Sequence, residues 1–439
     1  MTNRTEQTQL MGPWLTTALV VGTMIGSGIF MLPVSLAPLG PNAIVGWGLS
    51  IAGALSIAYA FARLSRAGGD GIQSYIEQAF GPLTGFITAW AFWFSNWTSQ
   101  AAVAIAFGAA TSRINPMFGD DTVVVLAVGA IALLTFVNAL GVRVSGGLNL
   151  ATIAIKLIPL LGVALLFGLS VSSGSPLEPL APVSVTIANV ATATTLTLFA
   201  MLGFENVTTP VGKVRDPERT LPRALLGGTV AVGIIYLLSS SGVTFLLPAG
   251  VVAASPAPYA DVFQTYGGES LVLLAALAIA VSAFGTLLCL ILATGELGYA
   301  MAARGQLPAV LARTRGANTP VVSQIAGAAL SIILVLANAN RTTAGLFTFI
   351  ILLSTSGILV VYLAGALAAL RSDTAATTRV IVGVALLFIM FAFYGSGVEA
   401  NGWCLVLLAL GLATYATMRA INSRDSTPVA ETAQAAPRE

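Results

Sequence analysis

Charge is what this chain has least of. Only 8% of its 439 residues are Asp, Glu, Lys or Arg, while 56% are hydrophobic. A soluble domain carries roughly 25% charged residues, because its surface must stay hydrated. With about a third of that, most of this surface must face lipid, and a mean hydropathy of +0.91 agrees. Histidine is absent, which removes the usual metal ligand and the usual near-neutral proton relay; no metal site and no cofactor is expected. The two cysteines, Cys289 and Cys404, lie in apolar runs and imply no disulfide framework. A net charge of +2 is too small for a nucleic-acid binder. The few polar residues inside the apolar runs form no nucleophile–base or metal constellation, so no enzyme is expected. Residues 1–13 are polar and the apolar run behind them is too long for a signal-peptide core, so no cleavable leader is expected either.

What is present is a series of long apolar runs. About 20 apolar residues carry a helix across the hydrocarbon, and runs at 14–37, 42–62, 83–112, 122–141, 148–170, 187–211, 222–247, 270–302, 320–338, 343–370, 379–396 and 400–420 predict twelve spans. They are too long and too unalternating for the strands of a membrane barrel. Turn-rich stretches such as Ala67–Gly71 and Ser172–Pro176 separate them. Of the 19 Lys and Arg residues, all but Arg113, Lys156 and Arg341 fall at loops on one side. By the positive-inside rule both termini are then cytoplasmic. The expectation is an all-α, multi-pass protein of the cytoplasmic (inner) membrane with the lipid bilayer as its solvent. Residues 1–13 form a cytoplasmic N-terminal segment and 421–439 a disordered cytoplasmic tail.

Two spans are interrupted. The first carries Gly26-Ser27-Gly28 at mid-depth, then Pro33; the sixth carries Gly203-Phe204-Glu205-Asn206, then Pro210. A helix broken at mid-membrane frees N–H and C=O groups that lipid cannot satisfy, so they must face a ligand or a wet cavity. Breaks at matching places in two halves point to a transporter binding site. Spans one and six are five apart, and an odd number per repeat forces opposite orientation in the membrane, an inverted repeat. The competing reading is that Gly-Ser-Gly only lets helices pack closely.

At these residues the chain resembles the amino acid–polyamine–organocation superfamily of transporters. The resemblance rests on Met24-Ile25-Gly26-Ser27-Gly28-Ile29-Phe30-Met31-Leu32-Pro33, on Gly203-Phe204-Glu205-Asn206, on the run Lys213–Ala224, and on Tyr299–Pro308 with its Arg304-Gly305-Gln306. The branch it resembles is the basic amino acid/polyamine antiporters, including the arginine/agmatine exchanger. The resemblance implies a LeuT-type fold. Residues 14–170 would form the first repeat, 187–370 the second, and 379–420 two appended helices. It implies a secondary transporter of amino acids, as antiporter or proton-coupled symporter, with a polyamine or arginine/agmatine exchanger as the alternative and a sodium or organic-ion carrier as a rival. Homodimeric assembly and protons as a second partner are carried as expectations.

The same resemblance implies that the substrate carboxylate is held by N–H groups and the hydroxyl at Ser27 and Gly28, where a half-helix begins and points its positive dipole end at the site. The amine would be held by carbonyls around Met24 and Leu202. Ile25, Gly26, Ala200, Gly203 and Ser356 complete the expected wall. Phe199 and Leu290 stand where the arginine exchanger stacks its guanidinium on tryptophans, so this site is the more apolar one. In the third span, Asn96 and Gln100 are four apart and share a helix face. That face is turned to the pathway or to interhelical hydrogen bonds.

Three ionisable residues lie inside spans, each costing at least ~2.5 kcal/mol there on insertion scales. Glu205 is assigned a gating or proton-linked role, or a capping one for the half-helix that follows it. Lys156 has no counterpart in the arginine exchanger; in other members a lysine there takes the place of a sodium ion. Its ammonium either does this and couples transport to protons, or snorkels to the interface. Glu296 could pair with Lys156, pair with a cytoplasmic arginine, or contribute to a gate.

Overall fold

The computed structural model describes residues 12–64, 72–114, 122–140, 146–205, 214–315 and 319–425. The expected N-terminal segment up to residue 11, the tail from 426 onward, and Asn206, Pro210 and Lys213 lie outside the described residues. Every element among the described residues is helical apart from one isolated bridge between Arg315 and Thr319. In chain order the α-helices are α1 (Pro13–Met24), α2 (Gly28–Leu36), α3 (Asn42–Leu64), α4 (Ile72–Phe80), α5 (Pro82–Ile114), α6 (Val123–Ala139), α7 (Gly146–Ser172) and α8 (Ile187–Met201). There follow α9 (Pro217–Leu246), α10 (Ala249–Ala254), α11 (Pro258–Gly267), α12 (Glu269–Ala303), α13 (Val321–Ala337), α14 (Thr343–Ser372) and α15 (Ala376–Asp425).

Six of these, α3, α7, α9, α12, α14 and α15, are long and apolar enough to cross a membrane. The pair α1 and α2, bent by 50°, makes a seventh. Three more, α6, α8 and α13, are apolar but only 15 to 17 residues long. The helix α5 is 33 residues long and carries the polar face discussed below. The two runs expected at 379–396 and 400–420 are one helix in sequence but bend at Gly397, whose φ of 78° is not helical. Sequence reasoning passed over α4, α10 and α11, which are too short, at 6 to 10 residues, to read as spans.

Without a hydrophobic drive between helices in lipid, packing rests on small residues and on side-chain hydrogen bonds. The anchoring of α8 illustrates both. A Cβ on Gly46 of α3 would lie 2.7 Å from the Ala193 side chain, and one on Gly395 of α15 would lie 2.0 Å from the Ala191 carbonyl. The backbones therefore touch where only glycine fits. Ser50 of α3 donates to the Thr194 carbonyl at 2.7 Å, and Thr195 donates to the Ala392 carbonyl of α15 at 2.7 Å. Held on two sides, α8 presents Phe199 to the interior.

Candidate functional site

The first interruption is a three-residue gap. Helix α1 ends at Met24, and α2 starts at Gly28. Ile25 closes on the Val21 carbonyl at 2.9 Å, and Gly26 turns back to donate to Met24 at 2.8 Å. Residues 27 to 29 then head α2, and the leading N–H groups of a helix have no carbonyl a turn behind them. The second interruption follows Met201, where Leu202 becomes extended and Gly203 takes φ 113°.

The two interruptions touch. A Cβ on Gly203 would stand 2.4 Å from the Thr23 carbonyl oxygen and 3.1 Å from the Met24 nitrogen; one on Gly28 would stand 2.6 Å from the Phe199 ring. Each break carries a glycine because the other break's residues occupy the space of a side chain. A cavity of about 100 Å³ lies at this crossing, several times the roughly 10–15 Å³ that one water needs.

Its walls combine three chemistries. Backbone-rich walls come from Met24, Gly26, Gly28, Leu202 and Gly203. Apolar walls come from Ile29, Phe92, Val103, Phe199, Ala200, Leu290 and Ile358. Polar groups come from Thr23, Ser95, Asn96, Ser99, Tyr236, Thr286 and Glu205. Glu205 is the sole carboxylate among the described residues of the wall. It is 4% exposed, accepts the Gly203 N–H at 3.0 and 3.1 Å on its two oxygens, and accepts the Tyr362 hydroxyl at 2.9 Å. Tyr362 belongs to α14 and stacks on Phe204 at 5.6 Å, with Phe61 of α3 edge-on to it at 5.5 Å. A fully desolvated carboxylate needs such donors to stay in place. Glu205 thus spans from the cavity wall to an aromatic cluster joining α3 and α14.

Sequence-expected residues divide cleanly. Met24, Gly26, Gly28, Asn96, Phe199, Ala200, Leu202, Gly203, Leu290 and Glu205 all line the cavity; Ile25, Ser27, Gln100, Ser356, Lys156 and Glu296 do not. Asn96 lines the cavity and makes no hydrogen bond to a described residue. Gln100 serves the interhelical alternative instead. Its amide donates to Thr294 at 2.5 Å and to the Leu290 carbonyl at 3.2 Å, and it accepts from Ser331 at 3.1 Å. Four residues on a 3.6-residue period add about 40° of rotation, which turns Gln100 into the seam with α12 and α13. Ser356 likewise ties α14 to α15 through Asn401 at 3.1 Å. Ser27 is fully buried, and its hydroxyl has no hydrogen-bond partner among the described residues.

Lys156 is 2% exposed, enclosed by protein rather than snorkelling along it. Glu296 lies on the exposed face of α12 and forms no ion pair with Lys156, so that pairing is withdrawn. Its place on the outer face also sets it apart from the cavity.

Five polar wall residues were missed: Thr23, Ser95, Ser99, Thr286 and Tyr236. Ser95 and Ser99 are also four apart, and both bond to Ser354 of α14, at 3.2 and 2.7 Å; that spacing was a readable signal. Tyr236 was not readable. It sits in an apolar stretch of α9, and its hydroxyl donates to the Met24 carbonyl at 3.0 Å. That carbonyl therefore already accepts two hydrogen bonds, from Gly26 and from Tyr236.

Comparison with known proteins agrees with this architecture. Residues 11–418 match the family model described as amino acid permease. The chain is 26% identical over 412 residues to a putrescine transporter of Haemophilus influenzae, covering 91% of this chain and 94% of that one. It is 31% identical over 312 residues to a cadaverine/lysine antiporter of Escherichia coli strain K12, 68% of each chain. The putrescine transporter of the same strain is 26% identical over 424 residues, 92% of this chain and 95% of that one. A cavity built where two interrupted helices cross, in a chain matched over nearly its whole length, leaves one assignment: this protein belongs to the amino acid permease family of membrane transporters, on its polyamine and basic amino acid antiporter branch.

Proposed function

We propose that the chain exchanges amine-bearing solutes, amino acids and short polyamines, across the cytoplasmic membrane by alternating access. The cavity at the helix crossing is its substrate site. The carrying observation is Glu205: a lone carboxylate on the wall of an otherwise neutral, partly apolar cavity is a counter-ion for one ammonium group. The apolar side chains of Phe92, Phe199 and Leu290 suit an alkyl chain and offer an aromatic face to a cation. At the opposite end, the head of α2 suits a carboxylate when the substrate has one. Because Met24 is already bonded to Tyr236, Glu205 and the carbonyl at Leu202 are the better amine acceptors.

Twelve crossings belong to the same reading, with 14–170 and 187–370 as inverted repeats, 379–420 appended and both termini cytoplasmic. It is supported by two interruptions that meet face to face and by the bend of α15 at Gly397. Proton-coupled symport is the second reading, favoured by Lys156, an enclosed ammonium with no carboxylate paired to it among the described residues.

The test is counterflow into proteoliposomes loaded with unlabelled putrescine, cadaverine, lysine or leucine. Accumulation of labelled amine without a sodium gradient is expected. Absence of exchange for every amine-bearing solute, from protein that is folded by its thermal transition, overturns the proposal.

A further inference from the structure

Away from the substrate cavity, the run Tyr299–Pro308 takes part in a second cavity of about 650 Å³. It opens where the C-terminal ends of α12 and α15 meet α4, on the side of the molecule that carries the basic loops. Arg304, Gly305 and Gln306 line it in succession, with Ser74 and Glu77 of α4 and Tyr415, Met418, Arg419 and Asn422 of α15. The turn that builds it is fixed. Gly305 has φ 70°, its carbonyl accepts the Asn422 amide at 3.1 Å, and Arg304, Gly305 and Gln306 close the last carbonyls of α12 through their own N–H groups. Those carbonyls are satisfied and do not oppose an anion.

Charge in this cavity is unbalanced. Two guanidinium groups face one carboxylate, and Glu77 approaches only Arg304, at 3.6 Å, a charge contact without a hydrogen bond. Arg419 has no ion pair or hydrogen bond with a described residue. Gln306 holds its side-chain oxygen buried and without a hydrogen-bond partner among the described residues, an acceptor for a hydroxyl or ammonium donor. Planar guanidinium forks match phosphate oxygens, so the ligand chemistry is a phosphate group with a donor beside it. The adjoining surface says where it comes from. Leu405 and Leu412 are exposed on α15, and their spacing of fourteen and seven positions before Arg419 sets them on the same helix face as that arginine, an apolar track suited to acyl chains.

We propose that this cavity binds the headgroup of an anionic phospholipid such as phosphatidylglycerol. Its phosphate would lie between Arg304 and Arg419, and its glycerol hydroxyls would reach Gln306 and Glu77. The site lies apart from the substrate cavity and sits at the foot of α12, the helix that carries Thr286 and Leu290 to that cavity. A bound lipid would brace α4, α12 and α15 against one another.

Native mass spectrometry and thermal unfolding of the detergent-purified full chain test this, with phosphatidylglycerol, phosphatidylcholine, glycerol phosphate and inorganic phosphate as probes. Phosphatidylglycerol should bind in preference to phosphatidylcholine and raise the midpoint, while the two soluble phosphates leave it unchanged. Arg419→Gln should weaken that binding about fivefold, on a scale of about one basic residue's attraction to an anionic membrane surface. Arg304→Gln with Arg419→Gln should abolish the preference while unfolding normally without lipid. Because Arg419 has no partner among the described residues, its variant has no structural reason to misfold, and its counterflow in phosphatidylcholine vesicles checks that. A preference for phosphatidylglycerol unchanged in both variants overturns the site. A shift reproduced by inorganic or glycerol phosphate overturns the lipid as its source.

Discussion

Gly203→Ala gives the most demanding test of the crossing. Its Cβ would be placed 2.4 Å from the Thr23 carbonyl oxygen and 2.8 Å from the Thr23 carbonyl carbon, both backbone atoms that cannot swing aside. Ordinary contact is reached only by moving the two interruptions about 1 Å apart, and tight sites resist such overpacking at about 1–3 kcal/mol. The φ of 113° adds strain of its own, about 1–3 kcal/mol for a residue with a side chain. Together these cost about 2–6 kcal/mol, concentrated on the pair of segments that frame the substrate. The Gly203 N–H also holds both Glu205 oxygens, so the carboxylate moves with it. A 1 Å misplacement of binding groups can cost about a hundredfold in rate. Counterflow should fall by that order, with a lowered thermal midpoint. Gly28→Ala is the internal comparison, because its Cβ would meet only the rim of the Phe199 ring, at 2.6 Å, and a ring can rotate. Removing the ring as well, in Gly28→Ala with Phe199→Ala, should restore the thermal midpoint. Counterflow by Gly203→Ala at the wild-type rate and half-saturating concentration would refute the claim that the two interruptions are in contact.

Other outcomes test single groups. Glu205→Gln should raise the half-saturating concentration for amines roughly 10- to 100-fold, the range of a charge-assisted hydrogen bond, measured by counterflow at fixed internal load; an unchanged value removes Glu205 as counter-ion. Lysine and cadaverine differ by the carboxylate alone, so the head of α2 should favour lysine roughly two- to thirtyfold; equal affinities would show that this end of the cavity does not bind the substrate. Lys156→Ala should abolish any dependence of uptake on an imposed pH gradient, and unchanged dependence rules out coupling through that ammonium. Gln100→Leu removes the hydrogen bonds to Thr294, Ser331 and the Leu290 carbonyl, although Thr294 and Ser331 keep other partners, and should lower stability by about 1–3 kcal/mol while leaving the half-saturating concentration alone; the reverse pattern would return Gln100 to the substrate site.

The helices and the interruptions were legible because they violate the background pattern. In a chain so apolar, Gly26-Ser27-Gly28 and Gly203-Phe204-Glu205 stand out by composition alone, and both proved to be where the backbone leaves the helix. Facing was much less legible. Asn96 and Gln100 share a face at the resolution of a helical wheel, yet one turns to the cavity and the other to a seam, a difference of about 40° that no single helix can disclose. Tyr236 shows the same limit from the other side. Its helix is apolar around it, and only the arrival of Met24 from a segment 212 positions away gives its hydroxyl a partner. Glu205 was legible as an intramembrane acid, but its alternatives of gate and cap proved less separate than the sequence suggested. The carboxylate caps locally, accepting the Gly203 N–H behind it on both oxygens, and Oε2 also accepts the hydroxyl of Tyr362 of α14. A substrate ammonium arriving at this carboxylate must share or displace those donors. Binding and the attachment of α14 to the second interruption are therefore coupled through one side chain, and Tyr362→Phe should loosen that attachment while strengthening the carboxylate's hold on the ammonium. Tighter binding with slower counterflow is the expected signature, and a variant that binds no tighter would separate the two roles.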